Sequence, residues 1–124
     1  MGVSEIASWW SRLSLGLNVL VLVPVCLSLL GKAAWCDSAY GPPSPARGIL
    51  LSIYLAILLA SAGLLFKPVP AAIVALLAVQ VLYKLTTPFT VGTLANPVVA
   101  SNLAIALVHS VTIVLLFRSG SLAH

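Results

Sequence analysis

Polar and apolar positions along the chain separate into four long apolar runs divided by short, strongly punctuated connections. The first run covers residues 13–30, LSLGLNVLVLVPVCLSLL. Upstream of it Ile6, Trp9, Trp10, Leu13 and Leu17 recur with a helical period, which predicts a helix over 5–30 with Ser4 as its cap. Gly31 is placed to close that helix as a left-handed cap, and Pro24 should bend it. The length of the run and the acidic Glu5 near the start argue for a retained helix over a cleaved leader. The stretch KAAWCDSAYGPPSPAR then reads as a loop. Ser44–Pro45 has the form of an N-cap followed by a first helical proline and opens a second helix over 45–66. The turn Lys67–Pro68–Val69–Pro70 is so short that the second and third helices must run antiparallel as neighbours. The third helix spans 70–87 and is expected to stop at Pro88. Asn96–Pro97 repeats the cap-then-proline start and opens a fourth helix over 97–117.

Each run is close to the ~20 residues that cross a bilayer core. Hydrophobic residues make up 61% of the 124 residues and charged residues 6%, whereas a soluble domain carries about 25% charged residues. The expected fold is therefore all-α: a single integral-membrane domain over 1–124, an up-down four-helix transmembrane bundle. The six Lys and Arg residues lie near helix ends, the ordinary membrane pattern, and form no basic stripe with exposed aromatics. Nucleic acid is thus not an expected partner, and lipid is. An even number of spans puts both termini on one side, with Arg12, Lys67 and Arg118; Lys32, Arg47 and Lys84 belong to the other. Discounting Lys84, inside its helix, favours cytoplasmic termini.

Small residues recur every four positions in the second helix, at Ser52, Ala56 and Ala60, with Gly63 beside them. Ala71, Ala75 and Ala78 do nearly the same in the third helix, and Ala100 and Ala104 in the fourth. Such rows let helices approach closely, either inside one bundle or against a partner, and Leu58 is expected to face lipid.

Chemistry is sparse. Cys26 and Cys36 are too far apart along helix and turn to suggest a disulfide, leaving one buried thiol and one free loop thiol. No metal-ligand set, nucleophile motif or phosphate loop is present in the sequence. No carboxylate falls in any span, which argues against antiport through a membrane-embedded acid. The intramembrane polar residues are Asn18, Tyr54, Gln80, Tyr83, Lys84, Asn102, His109 and Thr112. Gln80 and Lys84 share a helix face, as do Asn102, His109 and Thr112. Counting from the ends matches three pairs by depth: Tyr54 with Gln80, Asn18 with His109, Lys84 with Asn102. Lys84 can instead snorkel towards Asp37. These groups read either as interhelical hydrogen-bond glue or as a site for an ion, proton or ligand. His109 is the one plausible intramembrane axial ligand for a cofactor; the only other histidine is the terminal His124. Three function classes follow: an accessory or assembly subunit of a larger membrane complex, a small channel or transporter built by self-association, and a cofactor-binding membrane protein or enzyme centred on His109.

Overall fold

The computed structural model describes residues 2–122, which leaves His124 outside the described residues. Five helices follow one another: α1 (Val3–Leu30), α2 (Ala34–Tyr40), α3 (Pro45–Phe66), α4 (Pro70–Val91) and α5 (Pro97–Arg118). The four long ones are apolar enough to cross a membrane and form an up-down bundle. At ~1.5 Å per residue a 22-residue helix is about 33 Å long, just over the ~30 Å core. The 28-residue α1 exceeds this by nearly two turns, and its overhang carries Trp9, with Arg12 set 5.6 Å from the Trp9 ring centroid.

Several boundaries differ from the sequence expectation. Helix α1 starts at Val3 behind Gly2, and Ser4 does not cap it. Gly31 has φ −80°, and the left-handed residue is Lys32 at φ 53°. The reversal comes one residue late because the chain re-enters a helix at once, in α2, where a loop was expected. Helix α4 does not stop at Pro88 but continues to Val91, where Gly92 at φ 86° closes it. A proline inside a helix deprives the carbonyl four residues back of its donor. Here that carbonyl belongs to Lys84, and the Thr87 hydroxyl donates to it at 2.7 Å. The caps at Ser44 and Asn96 form as the sequence implies, accepting from Arg47 N–H and Val98 N–H.

Helix α1 packs along both α3 and α5, and α5 also packs along α4. Helices α3 and α4 touch far less than these pairs, although their turn is very short. The expected hairpin is therefore antiparallel but splayed. Two apolar clusters fill the bundle. One, under α2, is built on Leu22, Cys26, Leu29, Cys36, Tyr54 and Ile57. The other, towards the termini, is built on Ala7, Leu15, Ile73, Leu77 and Leu116.

Helix α2 is clamped to the bundle. Arg47 Nη1 donates to Asp37 Oδ1 at 2.6 Å and to the Gly41 carbonyl at 2.8 Å. Asn96 Nδ2 donates to the Ala39 carbonyl at 2.8 Å. Cys36, expected as a free loop thiol, is fully buried, and burial raises its thiol above the ordinary range. The Tyr40 ring meets Tyr54 edge-on at 6.0 Å, which closes the top of the core.

Candidate functional site

The buried polar side chains collect in one layer near mid-span and a second layer below α2. Asn18 is the centre of the first. Its position on α1 brings it within reach of all three other spans. Nδ2 donates to Ser61 Oγ on α3 at 3.0 Å and to Gln80 Oε1 on α4 at 2.8 Å. Oδ1 accepts from Gln80 Nε2 at 3.1 Å and lies 2.9 Å from His109 Nε2 on α5. Two donors and two acceptor positions are all an amide possesses, so Asn18 is saturated. With both N–H groups of Asn18 directed elsewhere, His109 Nε2 is the donor in its bond. The tautomer then has Nδ1 unprotonated, and that atom is buried without a partner. Axial ligation or proton uptake by His109 would fall to Nδ1, since Nε2 is committed to Asn18.

One turn towards the termini, Ser14 and Thr112 hydroxyls lie 2.6 Å apart. Thr112 also sits 3.1 Å from the carbonyls of Trp10 and Val108. A single hydroxyl proton serves those carbonyls, so Ser14 donates to Thr112. This joins α1 to α5 a second time.

In the upper layer Lys84 Nζ donates to Asn102 Oδ1 at 3.0 Å, and Asn102 Nδ2 donates to Thr87 Oγ1 at 3.3 Å. Thr87 in turn donates to the Lys84 carbonyl, so the ring closes on itself. The Lys84 ammonium lies 5.0 Å from the Tyr83 ring centroid. Lys84 is only 5% exposed. It does not snorkel towards Asp37, because Asp37 is taken by Arg47 and the ammonium lies under α2.

Of the three pairs expected from depth, Asn18–His109 and Lys84–Asn102 are in hydrogen-bond contact and Tyr54–Gln80 is not. The splay of α3 from α4 separates that pair. Gln80 turns to Asn18, and Tyr54 joins Leu22, Cys26 and Cys36 in the apolar cluster. Ser14 and Ser61, fully buried, were not singled out by the sequence reading. Serine in a helix often bonds its own backbone, as Ser11 does to Ala7 at 2.8 Å, so its presence alone says little. The spacing Ser11, Ser14, Asn18 on one face of α1 was the available signal.

The small-residue row does not pack inside the bundle. Ser52, Ala56, Ala60 and Gly63 are all exposed, on the side of α3 opposite its buried Tyr54, Ile57 and Ser61. Leu58, expected to face lipid, packs against the upper apolar cluster. Ala71, Ala75, Ala100 and Ala104 are likewise exposed.

Fold and interior together define a multi-pass membrane protein with a hydrogen-bonded polar core. Comparison with protein-family models, curated proteins and solved structures finds no match to the chain.

Proposed function

We propose that this protein is an accessory or assembly subunit of a larger membrane complex, and that its partner docks on the outward face of α3. The observation that carries this reading is the exposed row Ser52, Ala56, Ala60 and Gly63, which Gly48 extends by one further turn. Glycine within a helix costs roughly 0.5–1 kcal/mol relative to alanine. A Cβ added at Gly48 or Gly63 would meet nothing within 4 Å, so contacts inside the bundle do not account for these glycines. Close approach of another transmembrane helix does, because small side chains let backbones come together where dispersion and interhelical hydrogen bonds act.

Ala56→Leu should leave the bundle folded and dissociate the assembly, whereas Leu58→Ala should lower thermal stability in detergent and leave the assembly intact. Native mass spectrometry of the protein extracted under mild conditions reads the first, and a melting curve reads the second. An unchanged assembly mass in Ala56→Leu would sink the proposal. A symmetric homo-oligomer as the native species would favour a small channel or transporter.

We propose further, from the distribution of basic residues, that both termini face the cytoplasm. Lys84 lies inside the bundle and adds nothing to its side, which leaves Lys32 and Arg47 facing Arg12, Lys67 and Arg118. Cysteines introduced at Ser4 and Ser119 should resist an impermeant maleimide in intact cells, and one at Gly92 should react. The native Cys26 and Cys36 are buried and contribute little background. Labelling of Ser4→Cys from outside would reverse the assignment.

A further inference from the structure

We infer that the cavity beneath α2 is a binding site for the head of a single-chain carboxylate amphiphile, with Lys84 as its anion-binding group. The cavity has a volume of about 240 Å³ and opens between α1 and α5, with Trp35 and Tyr40 of α2 over it. Lys84 is the one charged side chain among its lining residues. The rest of the wall is mainly apolar, with Val21, Leu22 and Val25 on α1 and Ile105 on α5. Asn102 also lines it, beside Lys84.

The ammonium is held in place but not neutralised. One of its three donors goes to Asn102 Oδ1. Asn102 cannot turn away, because its Nδ2 is bonded to Thr87. The Tyr83 ring contributes a cation–π contact and no charge. The acidic side chains among the described residues are Asp37, committed to Arg47, and Glu5, at the opposite end of α1. A buried cation without an anion is costly to keep, and intramembrane charges are paired where a pairing group is within reach. A monoanionic head entering the cavity supplies the missing charge and accepts from the remaining ammonium donors.

The shape selects the rest of the ligand. One cationic group set in a mainly apolar wall suits a carboxylate followed by its first methylenes. The remainder of the chain leaves through the rim between α1 and α5, where Pro97 and Ser101 are exposed, into the surrounding hydrocarbon. This site lies away from the outward face of α3, so it stands or falls separately from the proposed assembly role.

The test is palmitate binding to the purified protein in dodecyl maltoside, followed by native mass spectrometry and by competition. Palmitate should bind saturably. Lys84→Gln should weaken it at least tenfold, and Lys84→Arg should retain most of it. Ser101→Phe changes an exposed rim residue and keeps Lys84, so it should block the cavity without touching the polar ring; it too should lose palmitate. Methyl palmitate should bind far more weakly, and acetate should fail to compete. Undiminished binding in both Lys84→Gln and Ser101→Phe would overturn the site. Equal binding of methyl palmitate would overturn the role of the charge, and competition by acetate at matched concentration would overturn the amphiphile.

Discussion

Asn18→Leu should lower the unfolding free energy of the bundle by about 2–3 kcal/mol, the largest effect expected of any single polar substitution. The side chain makes four interhelical hydrogen bonds. Such bonds in membrane proteins contribute ~0.6 kcal/mol each on average. The substitution also leaves Ser61, Gln80 and His109 facing one another without their common partner. His109 would then have neither ring nitrogen bonded, since Nδ1 already has no partner. Ser11→Ala is the control: its one bond is local, to the Ala7 carbonyl, and its removal should cost under ~0.5 kcal/mol. Unfolding in mixed dodecyl maltoside and dodecyl sulfate micelles measures both. A loss for Asn18→Leu no greater than that of the control would mean that the layer is not held by this residue.

The second large effect is local. Arg47→Ala should release α2 and speed alkylation of Cys36 roughly thirty-fold, which corresponds to about 2 kcal/mol at ~1.4 kcal/mol per decade. Two hydrogen bonds from a charged donor are lost, to Asp37 and to the Gly41 carbonyl. The Asp37 side chain is 54% exposed, so water replaces part of its bond and the effect stays below the sum of two fully buried ones. Cys36 is a direct reporter because it is wholly buried and its thiol is held above the ordinary range. A Cys26→Ser background removes the other thiol. Maleimide labelling at the wild-type rate in Arg47→Ala would show that the Asn96 bond and the Tyr40–Tyr54 contact fix α2 without the arginine.

What could be read from the sequence follows from what is local. The spans and the two Xaa–Pro caps were legible because Ser44–Pro45, Asn96–Pro97 and the apolar run lengths act within a few residues, whereas the cap expected at Ser4 and the left-handed one expected at Gly31 do not form. The identity of the buried polar groups was legible too, since Asn18, Gln80, Lys84, Asn102 and His109 interrupt otherwise apolar stretches. Their partners were only half legible. Depth along a helix follows from counting, and it matched Asn18 with His109 and Lys84 with Asn102. Rotation and splay do not follow from counting, so Gln80 was matched with Tyr54 when its partner is Asn18. The outward turn of the Ser52, Ala56, Ala60 row was hidden for the same reason: in lipid, inward and outward faces are both apolar, and polarity does not distinguish them. Helix α2, with 7 residues, is too short for a periodic signal, and α4 runs through Pro88 because the Thr87 hydroxyl satisfies the freed Lys84 carbonyl, a rotamer choice that residue type alone does not dictate.

The splay of α3 from α4 has a consequence for biosynthesis. As the chain is made, α3 emerges with its main partner, α1, already in the membrane. Helix α4 emerges next to a neighbour it scarcely touches, and its broad packing partner is α5, which is synthesised after it. Until α5 arrives, Lys84 lacks Asn102 and α4 is held chiefly by its turn and by Gln80 on Asn18. A nascent chain interrupted before Pro97 therefore lacks the Asn102 partner of Lys84, and the span that follows α4 supplies it.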